Sequence, residues 1–158
     1  DEDGNYIDLS AIPDRVQFAY EFENADYRDE KVVYCGYMIN HWGHFLIEAV
    51  CRLWYFLEKD ETIDKYIFFL DENEQREIKG NYRAFLELYG IWDKMEFINK
   101  PITFREVLVP ELALKTHTYY SPKFREMFDV IADNVVVDPS WETYEKICFG
   151  NAKRVFGL

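Results

Sequence analysis

Basic residues are scarce in this chain. Across 158 residues, 18 Lys and Arg stand against 30 Asp and Glu, for a formal net charge of −12. No basic stripe offsets phosphate repulsion, so a nucleic-acid partner is not expected, and the same field opposes an anionic membrane surface. Cysteine is nearly missing. Cys35, Cys51 and Cys148 are odd in number, far apart and without a Cys-x-x-Cys pair, which argues against a disulfide framework and for reduced, core-filling thiols in a reducing cytoplasm. Long apolar runs are missing too: the longest, residues 43–57, is interrupted by His44, Glu48 and Arg52 and is too short to cross a bilayer. Asp1-Glu2-Asp3 opens the chain without the basic and apolar segments of a signal peptide. Neither Gly-x-Gly-x-x-Gly nor Gly-x-x-x-x-Gly-Lys-Ser occurs, so no glycine-rich loop is available to grip a nucleotide. No internal repeat or low-complexity segment is evident.

What is present is apolar and aromatic: 49% hydrophobic and 18% aromatic residues, enough for one packed core. Val16 to Phe22 alternates with period two and reads as a strand, and Lys31 to Tyr37 is a second, β-branched and aromatic. From Gly43 to Lys59, Phe45, Leu46, Ala49, Val50, Leu53, Trp54 and Leu57 recur at helical spacing and predict one continuous helix. Lys65 to Asp71 is a nearly unbroken apolar run of the kind found in buried parallel strands. Asn81 to Tyr89 is helical, with Asn81 as N-cap and Gly90 just past the end. Met95–Ile98 and Phe104–Val109 are strands separated by Asn99-Lys100-Pro101, and Pro110 ends the second. Ser121-Pro122 starts a helix whose apolar face is Phe124, Met127, Phe128, Ile131 and Ala132. Alternating strands and helices predict a layered α/β domain with a mostly parallel sheet. Residues 1–138 form that domain; Tyr144 to Gly150 reads as another strand, so residues 139–158 are taken as a linker and the first strand of a truncated or missing second lobe, or as a tail docked on the first.

Polar chemistry concentrates in Asn40-His41-Trp42-Gly43-His44-Phe45-Leu46-Ile47-Glu48, which holds two of the three histidines. His44, Glu48 and Arg52 fall at i, i+4 and i+8, on one stripe of an otherwise apolar helix. One reading is a solvent-facing ion-pair ladder. The other is an acid/base site: a histidine titrates near neutral pH, and a carboxylate one turn away orients its ring and stabilises the cation, which suits deprotonation of a hydroxyl nucleophile. A helix start after a strand's carboxyl end is also where open α/β sheets place ligands. His41-x-x-His44 with Glu48 is not a His-Glu-x-x-His arrangement, and no metal or other cofactor is expected. His117 reads as a loop residue and Asp71 as a turn former at a strand end. Trp42, Trp54, Trp92, Trp141, Tyr119 and Tyr120 are core candidates first, with Trp42 and Tyr120 placed in loops where a sugar ring could stack.

Asn40-x-x-Gly43-His44-Phe45-Leu46-x-Glu48 followed by Arg52-Leu53-Trp54 resembles the Asn-x-Gly-His-Trp/Phe-Leu and Arg-Leu-Trp signature near the start of glycosyltransferase family 61 domains. A weaker likeness continues through Phe68-Phe69-Leu70-Asp71, Phe85 to Ile91 and Val107 to Pro110, over roughly residues 30–138. The resemblance implies a Rossmann-like lobe of a GT-B-type, inverting, metal-independent enzyme of surface or capsular polysaccharide synthesis. Its sugar-nucleotide donor is held mainly by a C-terminal lobe and its glycan acceptor by this one. It makes His44 the general base or a ligand of the acceptor hydroxyl, Glu48 its orienting partner and Asn40 an acceptor hydrogen-bonder; His41, Trp42 and Arg52 are further substrate-binding candidates, with structural pairing to Glu48 as the alternative for Arg52. Where that family shows a Ser-Arg pair, this chain has Phe149-Gly150-Asn151, so donor binding is not expected of it alone. A catalytically silent module that binds glycan or protein is the competing reading. A missing lobe would leave an apolar face, from which a homodimer is expected.

Overall fold

The computed structural model describes residues 25–70, 77–115 and 118–135. The strand expected at Val16–Phe22, Asp71, His117, Trp141, Cys148 and everything in 139–158 lie outside these residues.

Four strands form one sheet: β1 (Asp26–Tyr37), β2 (Lys65–Phe69), β3 (Met95–Ile98) and β4 (Ile102–Leu108), in spatial order β3-β2-β1-β4. Every neighbouring pair is parallel, so the expected α/β class with a parallel sheet is what the chain adopts. The central strand is longer than the sequence pattern suggested. Its N-terminal half, Asp26 to Glu30, is charged and carries no strand signal of its own, but it pairs with β4 from Asp26↔Ile102 to Val33↔Leu108. Ladder hydrogen bonds to a neighbour, not side-chain preference, hold that half extended.

The sheet's alternation sorts its side chains. Val33, Cys35, Tyr66 and Phe68 point to one face and enter the main core with Phe45, Val50, Leu53, Phe85, Leu86, Tyr89 and Met127. The four longer helices contribute to this core: α1 (Trp42–Ile47), a 3-10 helix (Ala49–Glu58), α2 (Asn81–Leu88) and α3 (Pro122–Asn134). The opposite face presents Val32, Tyr34, Ile67, Phe69 and Ile98, which line a cleft with Pro101, Ile102, Phe104 and Val107. Three residues, 99–101, connect β3 to β4 although two strands separate them in the sheet. That short passage requires the N-terminal ends of β1 and β4 to curl back over the sheet. Lys100 accordingly pairs with Asp26, and Arg28 Nη1 reaches Glu96 Oε1 of β3 at 2.6 Å. Register slips between Arg28 and Lys31 and between Tyr34 and Gly36 mark the bends.

The helix expected at 43–59 is two helices. Glu48 (φ −125°, ψ −57°) ends α1, and the following ten residues wind as a 3-10 helix to Lys59 in the left-handed region (φ 51°). Such a long 3-10 run is unusual, and here it is held by tertiary hydrogen bonds described below. Asn81 is the first residue of α2, not its cap; Gly80 (φ 60°) occupies the cap position, while Gly90 (φ 80°) lies just past the end as expected. Ser121 Oγ accepts from Lys123 N at 3.3 Å with Pro122 opening α3. Met127 is buried, and Phe124, Phe128 and Ile131 pack on the core, but Ala132 is exposed. A two-residue pair, β5 (Leu114–Lys115) with β6 (Tyr119–Tyr120), is antiparallel.

Candidate functional site

β1 is flanked by β2 on one side and β4 on the other, and after β1 the chain turns away through α1 toward β2. The carboxyl ends of β1 and β4 therefore bound the crevice where strand connections diverge, the position at which open α/β sheets bind ligands. Asn40 is exposed just past β1, and α1 begins two residues later.

His41 caps α1: its Nδ1 accepts from His44 N at 3.4 Å. That bond uses the Nδ1 lone pair and leaves the Nε2 edge of an exposed ring free. Gly43 sits against the same ring, 3.5 Å from where a Cβ would meet His41 Cε1. The His44 ring meets His41 edge-on with centroids 4.8 Å apart.

His44 Nδ1 is hydrogen-bonded to Glu48 Oε1. In the tautomer that carries its proton on Nδ1, the ring donates to the carboxylate and keeps Nε2 as an acceptor. Burial of the two side chains is unequal, 39% exposed for His44 and 4% for Glu48, which gives an accessible imidazole backed by a fixed, desolvated carboxylate. Glu48 and Arg52 are the buried charged residues among those described.

Arg52 lies in the 3-10 helix beyond the break at Glu48. A 3-10 helix advances about 120° per residue against about 100° in an α-helix, which changes the angle between the two side chains from that of one continuous α-helix. Arg52 Nε donates to the Pro110 carbonyl at 3.0 Å, and its Nη1 lies 3.5 Å from the position a Cβ on Gly36 would take. Gly36 has φ 113° at the β1 register slip, a backbone that a side chain would strain. Arg52 thus ties the 3-10 helix to the exits of both strands. The tie is reinforced by Trp54 Nε1 donating to Glu111 O at 2.8 Å and Ala113 N to Cys51 O at 2.8 Å.

Trp42, 38% exposed, stacks on Phe45 at 5.5 Å and 16° and meets Tyr82 and Phe85 edge-on. It is an indole pinned from beneath beside His41. Tyr119 and Tyr120 are more than half exposed, Tyr120 edge-on to Phe124. Trp54 and Trp92 are held structurally, Trp92 beneath the Arg83 guanidinium at 4.8 Å. Burial raises both Cys35 and Cys51, the latter to about 12, and keeps them as inert thiols.

Sequence spacing brought Asn40, His41, Trp42, His44 and Glu48 into view. It missed Tyr82, Gly36 and Pro110, whose places at the site come from other strands and helices. Among the described residues no group of three His, Cys, Asp or Glu side chains is placed to hold a metal ion, and no helix is long and apolar enough to cross a membrane. No family model, curated protein or solved structure matches the chain.

Proposed function

We propose that this chain is the acceptor-side lobe of a Rossmann-like, GT-B-type glycosyltransferase that passes a sugar from a nucleotide-sugar donor to a glycan hydroxyl in a reducing cytoplasm. The observation that carries the reading is the His44–Glu48 pair, an accessible imidazole with its inner nitrogen hydrogen-bonded to a buried carboxylate. Nε2 accepts the proton of an acceptor hydroxyl as that oxygen bonds to the donor's anomeric carbon, and the bond from that carbon to the nucleotide diphosphate breaks. Glu48 stabilises the imidazolium so formed. Asn40, exposed two residues before α1, offers an amide to a sugar hydroxyl, and the half-exposed Trp42 indole offers a ring face to a pyranose. Arg52 holds the strand exits and the 3-10 helix in register, which makes it a positioning residue. The donor is held by protein outside the described residues.

Calorimetric titration of the chain with surface-polysaccharide oligosaccharides and with sugar nucleotides tests this. Oligosaccharide binding that weakens at least tenfold in His44→Ala, without sugar-nucleotide binding, is the expected result; tenfold corresponds to about 1.4 kcal/mol. Sugar-nucleotide binding by this chain would reverse the assigned division of labour. Oligosaccharide binding that survives His44→Ala would favour a silent glycan-binding module.

A further inference from the structure

His41 and His44 are neighbours in space as well as in α1. Their rings meet edge-on at 63° with centroids 4.8 Å apart, so one pyranose with its hydroxyls is wide enough to reach both. His41 is exposed, and the His44 side chain is 39% exposed. The two rings differ in the nitrogen each has left for a ligand.

His41 Nδ1 accepts from His44 N at 3.4 Å. A backbone amide only donates, so Nδ1 supplies its lone pair and, in the neutral ring, the proton sits on Nε2. His44 is arranged the other way round. Its Nδ1 is hydrogen-bonded to Glu48 Oε1, and in the tautomer that donates to this carboxylate Nε2 is an acceptor. Adjacent imidazoles thus offer one donor and one acceptor, each set by the bond its other nitrogen makes.

Capping alone does not call for an imidazole at position 41. Ser or Asp would cap α1 at least as well, and neither carries a second, outer donor. The ring is also held by packing. A Cβ on Gly43 would lie 3.5 Å from His41 Cε1 and 3.6 Å from its Nδ1, so the backbone of α1 supports the ring where it makes its hydrogen bond.

We propose that His41 determines acceptor specificity: its Nε2–H donates to the hydroxyl next to the one that gives its proton to His44 Nε2, so the pair selects a vicinal diol. This rests on the acceptor-side reading above. A sugar that bears the diol satisfies both nitrogens, whereas one without the neighbouring hydroxyl leaves the His41 donor to water. His41 takes no proton from the acceptor. It orients the sugar while His44 receives the proton.

Two measurements on the full chain test this. The first needs no ligand: long-range proton–nitrogen correlation spectra of isotope-labelled histidines, recorded in alkaline solution where imidazoles are neutral, should show His41 protonated at Nε2 and His44 at Nδ1. The same tautomer in both rings would overturn the proposal. The second is calorimetric titration with methyl glucopyranoside, galactopyranoside and mannopyranoside and with the monodeoxy forms of each. Saturable binding of at least one of the three is expected, weakened about tenfold when one ring hydroxyl is removed. His41→Ser keeps a cap on α1, so its melting temperature should be unchanged. It should bind the same sugar about tenfold more weakly and no longer distinguish it from the deoxy form. Absence of saturable binding, indifference to every hydroxyl deletion, unchanged affinity in His41→Ser, or an equal deletion penalty in both proteins would each overturn the role of His41. The acceptor-side reading is judged separately, by the oligosaccharides and His44→Ala.

Discussion

At the scale of single residues, the site depends on charges that cannot be exchanged for look-alikes. Arg52 is 4% exposed, and its Nε fills the acceptor of the buried Pro110 carbonyl. Arg52→Met keeps the length of the side chain but leaves that carbonyl unpaired, with an expected loss of about 2 kcal/mol in urea unfolding. Arg52→Lys should recover little of it, because an ammonium at the end of a four-carbon stem has no donor at the Nε position. Equal stability of all three proteins would show that the clamp contributes nothing. The residues a reader could pick from the sequence were those set by local spacing, His44 and Glu48 above all. Arg52 was visible as a polar residue on an apolar helix, but its partners, Gly36 and Pro110, were not. A hydrogen bond across 58 positions leaves no periodic trace in the chain.

The elements divide between those that follow their own signals and those that do not. α3 follows its signals: Ser121 caps it and Pro122 opens it. Ser121→Ala should therefore cost about 1 kcal/mol in denaturant unfolding, while Ser121→Asp, which can accept the same N–H, should be close to neutral. The segment after α1 departs from them. Its apolar residues repeat at α-helical spacing, but Cys51, Arg52 and Trp54 all bond to the chain at 110–113. Those contacts hold the tighter 3-10 winding, since an α-helical register would rotate the three residues away from their partners. Propensity differs by only tenths of a kcal/mol per residue between such windings and yields to tertiary bonds of about 1 kcal/mol each.

For the whole molecule, two exposed carboxylates add a small, solvent-screened contribution to acid sensitivity. Asp26 is held below its ordinary 3.8 chiefly by its hydrogen bond to Lys100, and Asp60 chiefly by the Thr62 hydroxyl. Carboxyls that ionise more readily when folded contribute stability above pH 3.8, and that contribution is lost as the pH falls through the lower folded values. The fall in melting temperature between pH 5 and pH 2 should thus be shallower in the Asp26→Asn, Asp60→Asn double variant than in the parent. An identical slope would place acid sensitivity elsewhere. By itself the sequence determined the α/β class, most strand and helix positions, the inert thiols and the His44–Glu48 neighbourhood, because each follows from periodicity, caps or residues one helical turn apart. Only the tertiary structure decided the break at Glu48, the contacts of Arg52 with the strand exits, the lengthening of β1 and the apolar cleft on the sheet face opposite the described helices. These depend on which distant segments meet, and a pairing between residues 58 or 76 positions apart is fixed by packing and hydrogen bonding after the chain has folded back on itself.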